Sequence, residues 1–138
     1  MLFWLTSTSP EQVNPHFMRC KMSFKANSFE VESYLREDVL ILGAKGELDV
    51  YSAHDFKDPL MEAVLEKQRK IVIDLSKVTF IDSTGLGILV NAAKHLRSHN
   101  GKMVLVIKED GIDQVFRITK LDQIFKIYQT QEEAIASL

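Results

Sequence analysis

The chain has 138 residues, 46% of them hydrophobic, with a formal net charge of −2. That length suits one domain able to bury a core of its own. Acids and bases are interspersed, which leaves no basic stripe for nucleic acid and no polybasic membrane anchor.

Met1-Leu2-Phe3-Trp4-Leu5 is apolar but lacks the basic flank and long apolar core of a signal peptide. No run approaches the roughly 18–20 apolar residues of a membrane span. Thr6-Ser7-Thr8-Ser9-Pro10 and Asn14-Pro15 read as turn or coil. Residues 1–26 therefore form an expected N-terminal extension, either loose or a mis-assigned start, and 27–138 the domain. The alternative is a tail whose Phe3 and Trp4 dock on the domain. Cys20 is the only cysteine, which excludes an intramolecular disulfide and a Cys-rich metal site. A reducing cytoplasm is the expected location.

Phe29, Val31 and Leu35 alternate with Glu30, Glu32 and Arg36, the pattern of a half-buried strand. Glu37-Asp38 turns the chain into a second strand, Val39 to Leu48, with Gly43 as a candidate bulge. Ser52 is a candidate N-cap for a helix with Ala53, Phe56, Leu60, Ala63 and Val64 on one face. Pro59 predicts a kink or restart in that helix, with Asp58 as a possible second cap. Ile71-Val72-Ile73-Asp74-Leu75 is a short β-branched strand.

After it the period changes. Leu86, Leu89, Ala92, Ala93 and Leu96 recur at helical spacing. Asp82-Ser83-Thr84-Gly85 is thus a strand-to-helix hinge, with Ser83 or Asp82 as N-cap. Gly85 and Gly87 leave the helix start without bulk. The hinge reads either as an ordinary capped helix start or as an exposed hydroxyl that is chemically used. No Gly precedes Ser83 by two residues, so the Gly-x-Ser-x-Gly elbow is absent, and so is a P-loop.

The helix should end at Asn100-Gly101. Lys94, His95, Arg97 and His99 crowd its last turns, where positive charge suits the helix dipole. His95 and His99 are four apart, but no third ligand accompanies them and His-Glu-x-x-His is absent, so no metal is expected. Met103-Val104-Leu105-Val106-Ile107 reads as a buried strand. Ile112, Val115, Phe116 and Ile118 suggest a short helix, and Ile124 to Tyr128 an edge strand. Thr130-Gln131-Glu132-Glu133 fits a capping box before a last helix. Strands alternating with helices after a hairpin imply an α/β domain with a mixed sheet.

Two blocks carry a resemblance. Asp82-Ser83-Thr84-Gly85-Leu86-Gly87 resembles the signature of the anti-sigma factor antagonists, bacterial STAS-domain proteins. Gly46-Glu47-Leu48-Asp49-Val50-Tyr51-Ser52-Ala53 resembles the Gly-Glu-[Ile/Leu]-Asp segment that ends their second strand. The resemblance runs from about Phe24 to the C-terminus. It implies the STAS fold, a mixed sheet of four to five strands with about four helices. Because the family usually begins just before its first strand, Met18 and Met22 are candidate starts.

The resemblance also implies a mechanism. The serine after the Asp, here Ser83, is the expected phosphorylation site, with Thr84 a minor candidate. The expected partners are an anti-sigma factor that is a serine kinase, and a PP2C-type phosphatase that reverses the mark. Asp49, Asp82, Ser83, Thr84, Gly85, Leu86 and Gly87 are the expected partner-binding residues. The protein would be a kinase substrate and a binding module rather than an enzyme, without a cofactor. Two alternatives remain open: a stressosome-like scaffold, and a small serine hydrolase built on Ser83 with His54 as base. For the hydrolase neither an elbow nor an oxyanion-hole signature is present.

Overall fold

The computed structural model describes residues 20–22, 29–66 and 68–138. Six strands lie side by side in sequence order: β1 (Cys20–Met22), β2 (Glu30–Arg36), β3 (Val39–Leu48), β4 (Lys70–Ile81), β5 (Lys102–Val106) and β6 (Lys126–Tyr128). β1, β2 and β3 pair antiparallel, and β3 to β6 pair in parallel. A helix fills each parallel connection: α1 (Ala53–Leu65), α2 (Ser83–Arg97) and α3 (Asp110–Ile118). A last helix, α4 (Gln131–Ala136), follows β6.

The two faces of β4 explain the layering. Ile71, Ile73 and Leu75 enter the larger core with Phe56, Leu60, Leu89, Leu96 and Phe116 from α1, α2 and α3. Val72 points the other way, into a smaller cluster with Val39, Ile41, Val104, Val106 and Ala134 of α4. A strand buried on both faces must read as a continuous β-branched run, as this one does. The α/β class, the mixed sheet and the four helices agree with the sequence reading. The sixth strand, β1, is an addition at the sheet edge. It lies within the expected extension, of which residues 1–19 and 23–26 fall outside the described residues.

Three expectations need correction. α1 is one continuous helix through Pro59, without a restart at Asp58. Phe56 on one side of the proline, and Leu60, Ala63 and Val64 on the other, are buried on one face. Burial of each large apolar side chain is worth about 1.5–3 kcal/mol, which together exceeds the roughly 3 kcal/mol cost of an interior proline. β4 does not end at Leu75 but continues to Ile81, because β3 keeps pairing beside it up to Leu48↔Ile81. The pairing shifts register between Gly43 and Lys45, so the irregularity expected at Gly43 falls there. β6 starts only at Lys126. Before it, Leu121–Gln123 is a 3-10 turn, and Phe125 packs edge-on against Phe116 at 6.3 Å.

Among the described residues the core begins at Phe29, and β1 is a three-residue edge strand paired only to β2. A chain starting at Met22 should therefore lose less than about 1 kcal/mol of stability, as expected for a short edge strand. Urea unfolding of that chain beside one starting at Met18 and the full chain checks this. A larger loss would show that the N-terminal segment packs.

Candidate functional site

β3 and β4 end side by side, and the site is built where they do. The N–H of Asp82 donates to the Leu48 carbonyl at 3.1 Å, tying the end of β4 to the end of β3. Asp82 is extended (φ −109°, ψ −175°), the usual backbone of an N-cap. Its Oδ1 accepts from the N–H of Thr84 at 2.9 Å and of Gly85 at 3.2 Å. Two of the orphan donors of α2 are thereby satisfied. Of the two cap candidates, Asp82 is the cap and Ser83 is the first residue of the helix.

Ser83 is exposed, as expected. Its side chain has no hydrogen-bond partner among the described residues, so no histidine, His54 included, is bonded to it as a base. Thr84 is half-buried and, with Gly87, lines a shallow groove shared with Lys57 and Met61 of α1. Leu86 is half-buried against the core. Gly85 is buried. A Cβ there would stand 2.8 Å from Leu48 Cγ and 3.0 Å from Ile81 Cγ1, so this glycine serves the close approach of α2 to the sheet. At Gly87 a Cβ would meet nothing within 4 Å. The two glycines thus do different jobs: Gly85 is a packing requirement, and Gly87 leaves the helix surface low.

The neighbouring turn is equally fixed. Asp49 Oδ1 accepts from the N–H of Tyr51 at 2.9 Å and of Ser52 at 3.1 Å. Ser52 precedes α1 as expected, but its side chain makes no capping bond to the helix. Instead Ser52 is fully buried, its hydroxyl donating to the Glu47 carbonyl at 2.7 Å and accepting from the Asp49 N–H at 3.0 Å. A buried hydroxyl needs such partners, and here the turn supplies them. Asp49 and Asp82 therefore both organise turns, on adjacent strand ends.

This hydrogen-bonded turn holds apolar side chains in solvent. Val50 is 57% exposed and Tyr51 76% exposed, and Phe80 at the same end of the sheet is 48% exposed. The sequence reading missed these three. The signal was present in Val50-Tyr51, two large apolar residues outside any periodic run, between the Asp and Ser that make the turn. No group of three or more candidate metal ligands occurs among the described residues, and no helix there is long and apolar enough to cross a membrane.

Residues 30–134 match the STAS domain. The chain belongs to the STAS domain family. Within it, the chain is 42% identical over 100 residues to a Thermotoga neapolitana protein named as a candidate anti-sigma factor antagonist, covering 72% of this chain and 88% of that one. It is 36% identical over 88 residues to the anti-sigma-B factor antagonist of Listeria monocytogenes, covering 64% and 77%. The crystal structure of an anti-sigma factor antagonist from Mycobacterium paratuberculosis superposes with a TM-score of 0.76 at 26% identity, covering 82% of this chain and 96% of that one.

The unlike surroundings of the two helical glycines give a direct test. Gly85→Ala should destabilise by about 1–3 kcal/mol through overpacking against Leu48. Gly87→Ala should be neutral or stabilise by up to about 1 kcal/mol through helix propensity. Urea unfolding of both variants measures the pair. Equal effects would contradict the packing role given to Gly85.

Proposed function

We propose that this protein is an anti-sigma factor antagonist switched by phosphorylation at Ser83. Unmodified, it binds an anti-sigma factor that is a serine kinase, and so frees a sigma factor. Phosphorylated, it lets go, and a PP2C-type phosphatase restores it. It touches no DNA and works in the cytoplasm. The observation that carries this reading is an exposed, unpartnered Ser83 hydroxyl at the start of a helix that another residue caps.

The capping by Asp82 gives the switch its physical sense. A helix N-terminus ordinarily favours a phosphate through its dipole and free N–H groups. Here the N–H groups of Thr84 and Gly85 are already bonded to the Asp82 carboxylate. A phosphate on Ser83 would add about −1.5 to −2 charge beside an existing negative charge. It would be directed outward, toward whatever faces this surface. A partner carboxylate about 6 Å away, at an effective dielectric of about 20, would oppose it by on the order of 3 kcal/mol per unit charge. That amounts to roughly a hundredfold in affinity.

Val50, Tyr51 and Phe80 supply the apolar part of such a contact. Interface centres favour aromatic side chains; Val50 and Tyr51 are already held out by the hydrogen-bonded turn, and Phe80 by its place on β4. Their ordering entropy on binding is correspondingly small.

Capture of the kinase from native cytosol with unmodified protein, then labelling with ATP and mapping of the modified peptide, tests the proposal. Ser83→Ala should bind the kinase, accept no phosphate and give constitutive sigma activity. Its stability should stay within about 0.5 kcal/mol of the parent, since Asp82 provides the cap. Ser83→Glu should weaken binding only partly, because a carboxylate carries less charge than phosphoserine. Phosphate on Thr84 with Ser83 untouched would move the site while leaving the switch in place. A kinase that neither binds nor labels the protein would end the proposal.

Tyr51→Ala and Phe80→Ala should each weaken kinase binding by at least about fivefold if they are anchors. Urea midpoints of both variants should stay near the parent value, because both side chains are exposed. Unchanged affinity in both would remove the apolar rim from the interface.

A further inference from the structure

At the opposite end of α2 the molecule has a second feature that the antagonist reading does not use. The last turn of α2, the start of β5, the turn before β6 and the chain's final residues enclose a notch of about 230 Å³. Its apolar lining includes Ala93, Met103, Phe125 and Ile124, and Ile124 is 49% exposed. Arg97, Lys102 and Lys126 also line it, and no Asp or Glu side chain does.

These cations are idle. Arg36, Lys70 and Arg117 have acidic partners, but Arg97, Lys102 and Lys126 make no side-chain hydrogen bond or ion pair among the described residues. Nor does the end of α2 employ them as caps. The Lys94 carbonyl accepts from the Ser98 N–H, the Leu96 carbonyl from Gly101 at 2.8 Å, and the Arg97 carbonyl from Asn100. Asn100, at φ 62°, adopts the left-handed turn that makes this closure. Three cations without partners among the described residues thus line one partly apolar recess in a protein of net negative charge.

We propose that this notch binds a small amphipathic anion. The apolar body lies against Ala93, Met103, Ile124 and Phe125, and a carboxylate or phosphate head sits among Arg97, Lys102 and Lys126. Each half of the site needs the other. Exposed cations alone hold an anion weakly, and a recess of this size buries too little surface to hold a purely apolar molecule well. The combination selects for a ligand with both parts. The proposal is independent of the role given to Ser83, which lies at the far end of α2.

The test uses the full-length protein and four probes: octanoate, octyl phosphate, octanol and inorganic phosphate. Titrations followed by amide NMR should show saturable shifts at Gly101, Met103 and Phe125 with octanoate, octyl phosphate or both. Whichever of the two binds more tightly identifies the head group. Octanol and inorganic phosphate should bind at least about tenfold more weakly, and added salt should weaken the amphipathic anions. The double variant Arg97→Gln/Lys102→Gln should lose at least about fivefold in affinity, and its melting temperature should be unchanged because both side chains are exposed. Absence of saturable shifts at the notch with either amphipathic anion would overturn the proposal. So would octanol binding as tightly as octanoate with the double variant unaffected.

Discussion

Asp82 makes the bonds on which the functional end of the molecule depends. Its N–H holds the end of β4 to the Leu48 carbonyl of β3, and its carboxylate takes two N–H groups of α2. One residue therefore fixes where the strand stops, where the helix starts and which side chain comes next. Ser83 is exposed because its predecessor has taken the capping work. Gly85 follows from the same geometry, since a helix started this close to β3 cannot carry a Cβ against Leu48. The arrangement separates structure from signal: modifying the serine hydroxyl removes none of the bonds that hold the junction.

The adjacent turn repeats the principle with different atoms. Asp49 accepts from two N–H groups, and the buried Ser52 hydroxyl closes the turn onto Glu47. Apolar residues in a loose loop would fold down onto the nearest core surface. Held between these bonds, Val50 and Tyr51 stay in solvent. Both aspartates of the recognised blocks thus act first on the backbone. Any role at an interface is secondary to shaping the surface on which Ser83 and Tyr51 stand.

Much of the fold was legible because its signals are local. The β-branched run at Ile71-Val72-Ile73, the helical spacing from Leu86 to Leu96, and the Thr130 cap, whose Oγ1 accepts from the Glu133 N–H at 3.1 Å, each appear within a few residues. What escaped depends on partners far along the chain. β4 continues through the polar Ser76, Lys77 and Thr79 because β3 is beside it, which no local pattern announces. α1 passes through Pro59 because the sheet buries both halves of its apolar face. At the site, the Asp-Ser order pointed to the right hinge. Deciding which of the two side chains caps required the backbone conformation at Asp82. The glycines looked alike in sequence, and only the position of Leu48 tells them apart.

The two proposed sites lie at opposite ends of α2. Its 15 residues span about 22 Å at 1.5 Å per residue, with Ser83 at one end and Arg97 near the other. The Debye length at physiological salt is about 8 Å, so a phosphate on Ser83 exerts little direct field at the notch. Coupling between the ends would need a mechanical route. Leu89, Ala92, Ala93 and Leu96 pack the helix against the sheet along its whole length, which resists a shift of one end without the other. A packed helix of this kind moves as a unit or not at all. If an anion in the notch does alter partner binding, displacement of α2 as a whole is the physical route, and Gly85 against Leu48 is the contact that would register it.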